Sequence, residues 1–222
     1  MTKKPDFFIL AGPNGAGKTT NGHLFVPTSI SIFNGDLVFA HLIQKYPDIE
    51  PIRLQGGVAK SLEDARDAAL TAKKNFAFES NYSSDMATEL TLQFKEAGYH
   101  TTLIYFGLDS LKTAASRVKE RKSLGGHDVT AEVLKYNFEE GIIRVKKDLH
   151  LFDTILFVDS RYQNTRVIAL IQKELNKQIN LVEHIGWYDQ YFKEPVDALK
   201  MSKQRSAKVI RHPSGGRGKG LH

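Results

Sequence analysis

The stretch AGPNGAGKTT, Ala11 to Thr20, constrains this chain more than any other. Gly12-Pro13-Asn14-Gly15-Ala16-Gly17-Lys18-Thr19 fits the pattern G-x-x-x-x-G-K-[ST]. Such a loop works where a strand ends and a helix begins. Its glycines let backbone N–H groups turn inward onto phosphate oxygens, and the helix N-terminus favours anions. That context is present: DFFILA, Asp6–Ala11, reads as a short buried strand, and a helix is expected from about Lys18 to Phe25. Gly12 to Thr20 are therefore expected to hold the phosphates of a nucleotide, with Lys18 reaching the β and γ phosphates and Thr19 ligating Mg²⁺.

The rest of the chain alternates in the same way. Ser31–Asn34 reads as a second strand, running into a helix that ends before Tyr46-Pro47. Val58, Leu62, Ala65 and Ala69 form one apolar helix face. FAFE, Phe76–Glu79, is a third strand, followed by a helix face of Met86, Leu90, Phe94 and Ala97. HTTLIYF, His100–Phe106, is strand-like. The next helix, capped by Ser110, buries Leu111, Ala114, Ala115 and Val118. SLGGHD interrupts; Thr130 then caps a helix with Leu134, Phe138, Ile142, Val145 and Leu149 on one face, before the strand DTILFV. Strands alternating with helices predict an α/β fold, a P-loop NTPase-like doubly wound parallel sheet flanked by helices. Arg166–Ile185 is expected to be a β-hairpin turning near Asn176-Lys177, because Val, Ile and Leu crowd both arms. Trp187–Leu199 reads as helical.

Charge divides the chain into two parts. The net charge is +6, yet seven of the 31 Lys and Arg residues lie from Lys200 onward, where no acid follows. That leaves 24 basic against 25 acidic groups in residues 1–199. Residues 1–199 are expected to form one catalytic-size domain and 200–222 a basic flexible tail. Nucleic acid could be held only through that tail. The absence of cysteine excludes disulfides, thiolate nucleophiles and cysteine zinc sites, and fits a cytoplasmic setting. FFILAG is too short for a signal-peptide core, and no stretch is expected to span a membrane.

What becomes of the γ-phosphate turns on other residues. Asp36 stands just past the second strand, in Phe33-Asn34-Gly35-Asp36. Strand C-termini of an open parallel sheet face the ligand crevice, so Asp36 would look toward the γ-phosphate and could accept a hydroxyl proton. It could equally cap the following helix. Glu79 closes the third strand and could hold a sugar or base hydroxyl or a water on Mg²⁺; Asn81, Tyr82 and Ser83 follow with hydrogen-bonding groups that could contact substrate or simply serve the turn, so Glu79 and Asn81 are candidates for holding a substrate. Arg117 and Arg121, four apart on one helix, could neutralise a transferring phosphoryl group or form a solvated basic face. Arg144 is expected to pair with Glu140. His127, in the Gly125-Gly126-His127 joint, is a further substrate-side candidate. A second reading stays open. The wording GPNGAGKTT, the run SLGGH and the strand ILFVD have the flavour of an ABC-type ATPase, which spends the phosphate on water. Against it, Ser160 follows Asp159 where that chemistry needs a glutamate, and SLGGH inverts the signature order and lacks its glutamine.

Taken in order, GPNGAGKTT, FNGDL, FAFES, AGYHTTLIYFGLDS and RVKERKSLGGHDVTAEVL resemble the zeta-toxin family of P-loop kinases, especially its small chromosomal branch, from about Phe7 to Asp159. The resemblance implies an ATP- and Mg²⁺-dependent kinase. Lys18 matches the phosphate lysine, Thr19 the Mg²⁺ ligand, Asp36 the general base, and Glu79 the substrate-side acid. Arg117 or Arg121 matches a phosphate-clamping arginine. It also implies a nucleotide-sugar acceptor such as UDP-N-acetylglucosamine, phosphorylated on a sugar hydroxyl, and an antitoxin protein as a possible partner. The chain departs from that pattern in three places. Glu79-Ser80-Asn81 stands where the branch has ETT, LKYNF stands where it carries arginines, and the basic tail is additional.

Overall fold

The computed structural model describes residues 4–123, 129–162, 164–175, 177–181 and 184–199. Seven strands form one sheet in the order β2-β3-β1-β4-β5-β6-β7. They are β1 (Asp6–Ala11), β2 (Ile32–Asn34), β3 (Phe76–Ser80), β4 (His100–Gly107), β5 (Thr154–Asp159), β6 (Arg166–Gln172) and β7 (Lys177–Asn180). The first five run parallel; β6 and β7 add an antiparallel hairpin at one edge. The expected doubly wound α/β sheet is therefore present, as is the hairpin, whose reversal falls between Gln172 and Lys177.

Helices accompany the strands: α1 (Lys18–Asn21), α2 (Gly35–Lys45), α3 (Pro51–Ala72), α4 (Asp85–Glu96), α5 (Leu111–Ser123), α6 (Ala131–Asp148) and α7 (Gly186–Tyr191), with a further helical stretch over 193–199. Strand β4 is buried along nearly its whole length, as a parallel strand covered on both faces must be. On one side Phe94 of α4 stacks on Phe7 of β1, with ring centroids 4.5 Å apart. Around β4 and β5, Tyr105, Phe157, Trp187, Tyr188 and Phe192 form a second aromatic cluster. No described helix is long and apolar enough to cross a membrane.

Three local expectations are corrected. The helix expected to run to Phe25 is a single α-turn followed by a 3-10 turn, Gly22–Leu24. Gly22 breaks the α-helical run, since glycine is the costliest non-proline residue in a helix. Met86 is 46% exposed; α4 instead buries Ala87, Leu90, Thr91 and Phe94. Ala115 is exposed, so α5 buries only Ala114 and Val118, with Leu111 partly covered.

The chain order reverses at β1: β2 and β3 lie on one side of it, β4 and β5 on the other. That switch point opens a crevice at the strand C-termini, where an open α/β sheet takes its ligand. The Gly12–Thr19 loop leaves β1 into this crevice.

Where β4 ends, the aromatic cluster leaves no space. A Cβ on Gly107 would come within 2.2 Å of the Trp187 ring. Gly107→Ala should therefore dislodge α7 and lower stability by about 1–3 kcal/mol. Trp187 is the chain's single tryptophan, so its fluorescence should shift red in the folded variant. An unshifted spectrum with an unchanged urea midpoint would contradict this packing.

Candidate active site

The loop after β1 is shaped by its backbone before any side chain is considered. Gly12 has φ 140°, and a Cβ there would meet the Phe106 carbonyl oxygen at 2.3 Å. Only glycine lets the loop pass this close to β4. The loop ends in Lys18, which opens α1 and is 6% exposed. Its ammonium donates to the carbonyl oxygens of Gly12 (2.7 Å) and Pro13 (3.0 Å) and to Asn81 Oδ1 (3.0 Å). Burial lowers the Lys18 pKa to about 8; the negative charges of Glu79 and Asp36 pull it upward, and the positive charge of Arg121 adds to the lowering.

The two carboxylates arrive from neighbouring strand ends. Thr19 Oγ1 donates to Glu79 Oε1 at 2.8 Å. Asn34 Nδ2 donates to Glu79 Oε2, also at 2.8 Å. Asn34 and Glu79 are register partners across β2 and β3, which places their side chains side by side. The other end of the same amide caps α2: Asn34 Oδ1 accepts from the backbone N–H of Asp36 (2.9 Å) and of Leu37 (3.3 Å). The helix cap is thus Asn34 rather than Asp36. The Asp36 carboxylate makes no hydrogen bond or ion pair with another described residue. It lines the same cavity as Lys18, Glu79 and Asn81, a space of about 340 Å³ between β2, β3, α3 and the start of α4.

Asn14 of the loop is tied to α6. Asn137 Nδ2 donates to Asn14 Oδ1 at 2.9 Å, and Ser83 Oγ donates to Asn137 Oδ1 at 2.6 Å. Asn137 lies in the LKYNF stretch. Tyr82, with φ 60°, turns the chain after β3 in the left-handed region, and its buried hydroxyl bonds Asp148 at 3.1 Å. That turn sets Asn81 against Lys18. Tyr82, named from sequence as a hydrogen-bonding group for substrate or turn, serves the turn. Asn34 and Asn137 were not candidates from sequence, and of these only Asn34 carried a signal, an N-cap residue immediately before Gly35-Asp36.

The arginine pair divides. Arg117 Nη1 donates to the carbonyl oxygens of Ser160 (2.6 Å) and Gly15 (3.3 Å), and Nη2 to that of Arg161 (2.7 Å). It ties the phosphate loop to the chain leaving β5. Arg121 is the member of the pair whose charge is felt at Lys18. His127 and the SLGGH run lie outside the described residues, apart from Ser123. Arg144 does pair with Glu140, at 2.7 Å, and also reaches Asp85.

Asp159 does not stand at the phosphate loop. It is 1% exposed, accepts from Arg161 Nε at 2.8 Å and from Arg161 Nη2 at 2.9 Å, and pairs with Arg166 at 3.4 Å. β4 separates its strand from β1. The carboxylate beside Thr19 is Glu79, from the strand directly paired with β1. An ABC-type arrangement with Asp159 at the metal finds no support in this placement.

No protein-family model matches the chain. An uncharacterised protein of Haemophilus influenzae is 25% identical over 144 residues, 62% of this chain and 94% of that protein. Solved structures share the fold at low identity. A chain of the PezAT chromosomal toxin–antitoxin system of Streptococcus pneumoniae superposes with a TM-score of 0.61 at 13% identity, over 95% of this chain and 89% of that one. A chain of the AvrRxo1-ORF1:-ORF2 complex with ATP gives 0.62 at 17%, over 93% of this chain and 75% of that one. A chain of the Pnkp1/Rnl/Hen1 RNA repair complex gives 0.54 at 18%, over 66% and 47%. The chain shares its α/β fold with these solved structures.

The lowered Lys18 pKa has a stability signature. Between pH 8 and 10.5 the unfolded lysine keeps a proton that the folded one has lost, so stability from this residue rises with pH through that window. Wild type should gain about 2 kcal/mol on Lys18→Met between pH 7 and 9.5. Urea midpoints of the two proteins across that range measure the gap, and a constant gap would contradict the buried placement. Arg117→Ala should cost about 1.5–3 kcal/mol, the value of a charged hydrogen-bond donor lost from carbonyl partners, read in the same urea series.

Proposed function

We propose that the protein is an ATP-dependent phosphotransferase that moves the γ-phosphate to a hydroxyl of a small molecule. The observation that carries this reading is the Asp36 carboxylate. Among the described residues its carboxylate has no partner, since Asn34 caps α2, and it lines one cavity with Lys18 beside the phosphate loop. Water attack needs no such space, whereas an acceptor does.

In this reading the loop N–H groups of Gly12 to Thr20 and the Lys18 ammonium hold the phosphates. Thr19 and Glu79, an all-oxygen donor set, fit a hard cation such as Mg²⁺, whose charge would neutralise the β and γ oxygens. Asp36 takes the proton of the acceptor hydroxyl as its oxygen bonds to the γ-phosphorus and the bond to the β–γ bridging oxygen breaks, leaving ADP. Arg121 stabilises the transferred group, and Arg117 holds the loop in place. Residues 1–199 are the catalytic unit, with 200–222 a basic arm that transfer does not need.

The zeta-toxin resemblance adds finer proposals: a nucleotide-sugar acceptor, a toxin role, an antitoxin partner and a cytoplasmic setting. The fold neighbours support the antitoxin idea to the extent that PezAT is a toxin–antitoxin system.

Asp36→Ala should lower transfer by about 10²–10⁴-fold, while the Kd for ATP changes by no more than roughly threefold. Steady-state transfer beside a fluorescent-nucleotide titration measures both. Normal transfer in the variant would remove Asp36 from the mechanism.

A further inference from the structure

One amide joins the acceptor cavity to the phosphate loop. Ser83, in the cavity wall, donates from Oγ to Asn137 Oδ1 at 2.6 Å. The other end of that amide, Nδ2, donates to Asn14 Oδ1 in the phosphate loop at 2.9 Å. Asn14 is itself buried, at 8% exposed. An amide offers an acceptor at one end and donors at the other. With both ends bonded, the Asn137 side chain takes its orientation from the cavity wall and passes it to the loop.

The seating of α6 keeps that link in register. Asn137, Gly141, Arg144 and Asp148 are four, three and four residues apart, so they share one helix face. Each meets the segment that follows β3. A Cβ on Gly141 would come within 2.6 Å of the Asn81 carbonyl oxygen, so glycine lets α6 lie this close. Arg144 pairs with Asp85. Asp148, 3% exposed, accepts from the Tyr82 hydroxyl at 3.1 Å and from Thr88. Held at these points, α6 cannot slide to let Asn137 follow a displaced Asn14.

The same segment reaches the phosphate loop by a second route, Asn81 Oδ1 on the Lys18 ammonium at 3.0 Å. Asn81 and Ser83 both line the cavity. The groups that a phosphate acceptor would touch are thus bonded to Lys18 directly and to Asn14 through Asn137. The Ser83 hydroxyl directs its proton to Asn137 and keeps its lone pairs. It can therefore receive a hydrogen bond from a hydroxyl or amide N–H of the bound acceptor. A bond received there polarises, and so strengthens, the one given to Asn137.

We infer that Asn137 is a positioning residue that couples the two substrates. A hydrogen-bond donor of the acceptor, seated on Ser83, steadies Asn14 through Asn137, and the loop then holds ATP more tightly. The inference rests on the transfer reading above, which supplies the acceptor. By linkage, bound ATP tightens the acceptor by the same factor.

A double-mutant cycle on Ser83 and Asn137 in the full chain tests this. The readout is the Kd for a fluorescent ATP analogue, with urea midpoints to establish that each variant is folded. Ser83→Ala should weaken binding of the analogue by about three- to tenfold, and Asn137→Ala by at least as much. The double variant should bind within about twofold of Asn137→Ala alone, because the first change acts through the second residue. If Ser83→Ala binds like wild type, or if the double variant loses the product of the two single factors, the coupling is overturned and the transfer reading stands. Should Asn137→Ala not fold, the Ser83→Ala result decides alone. Wild type that binds the analogue, yet labels no organic product from γ-labelled ATP, Mg²⁺ and a protein-free small-molecule extract, overturns both.

Discussion

One buried ammonium sets the terms for the rest of the site. Lys18 is almost fully covered, and a covered cation is stable only if oxygen atoms surround it. Three oxygens do so directly, from Gly12, Pro13 and Asn81, and two carboxylates act through space. The loop could supply the first two by itself. The others require that the ends of β2 and β3 be brought beside the end of β1, which the order β2-β3-β1 accomplishes. The sheet topology and the charge of one side chain are therefore coupled. The same negative field that supports Lys18 then faces whatever enters the cavity.

Asn34 is the joint through which this coupling reaches the chemistry. One amide satisfies the start of α2 with its oxygen and Glu79 with its nitrogen. It fixes Glu79 against Thr19 and leaves the Asp36 carboxylate uncommitted. A site with two carboxylates needs such a division of labour: one beside the phosphate loop hydroxyl, the other open toward an acceptor. Arg117 and Asn137 brace the loop from α5 and α6, through Gly15 and Asn14.

How far the sequence revealed this depended on how local each feature is. The phosphate loop was legible because its glycines, lysine and threonine act within one turn of chain. Asp36 and Glu79 were legible because each closes a recognisable apolar run, and strand ends in a parallel sheet point one way. The hairpin at Arg166–Gln172 and Lys177–Asn180 was readable from its crowding of Val, Ile and Leu. What stayed hidden has distant partners. Arg117 bonds carbonyls of residues 43 and 44 positions away, so spacing alone could not separate it from Arg121. Asn137 meets Asn14 across 123 residues. Asp159 looked like a metal-site strand end until Arg161 and Arg166 were seen to enclose it. The stripe on α4 was misplaced by one residue at Met86, because an apolar side chain at a cavity rim has the same letter as one in the core.

The central claim is that the γ-phosphate is given to an organic hydroxyl rather than to water. The direct measurement is the fate of that phosphate when the enzyme turns over ATP in water labelled with heavy oxygen, in the presence of a protein-free small-molecule extract. The account predicts that the phosphoryl group is recovered in an organic ester without heavy oxygen. Recovery as inorganic phosphate carrying one heavy oxygen per turnover would contradict it.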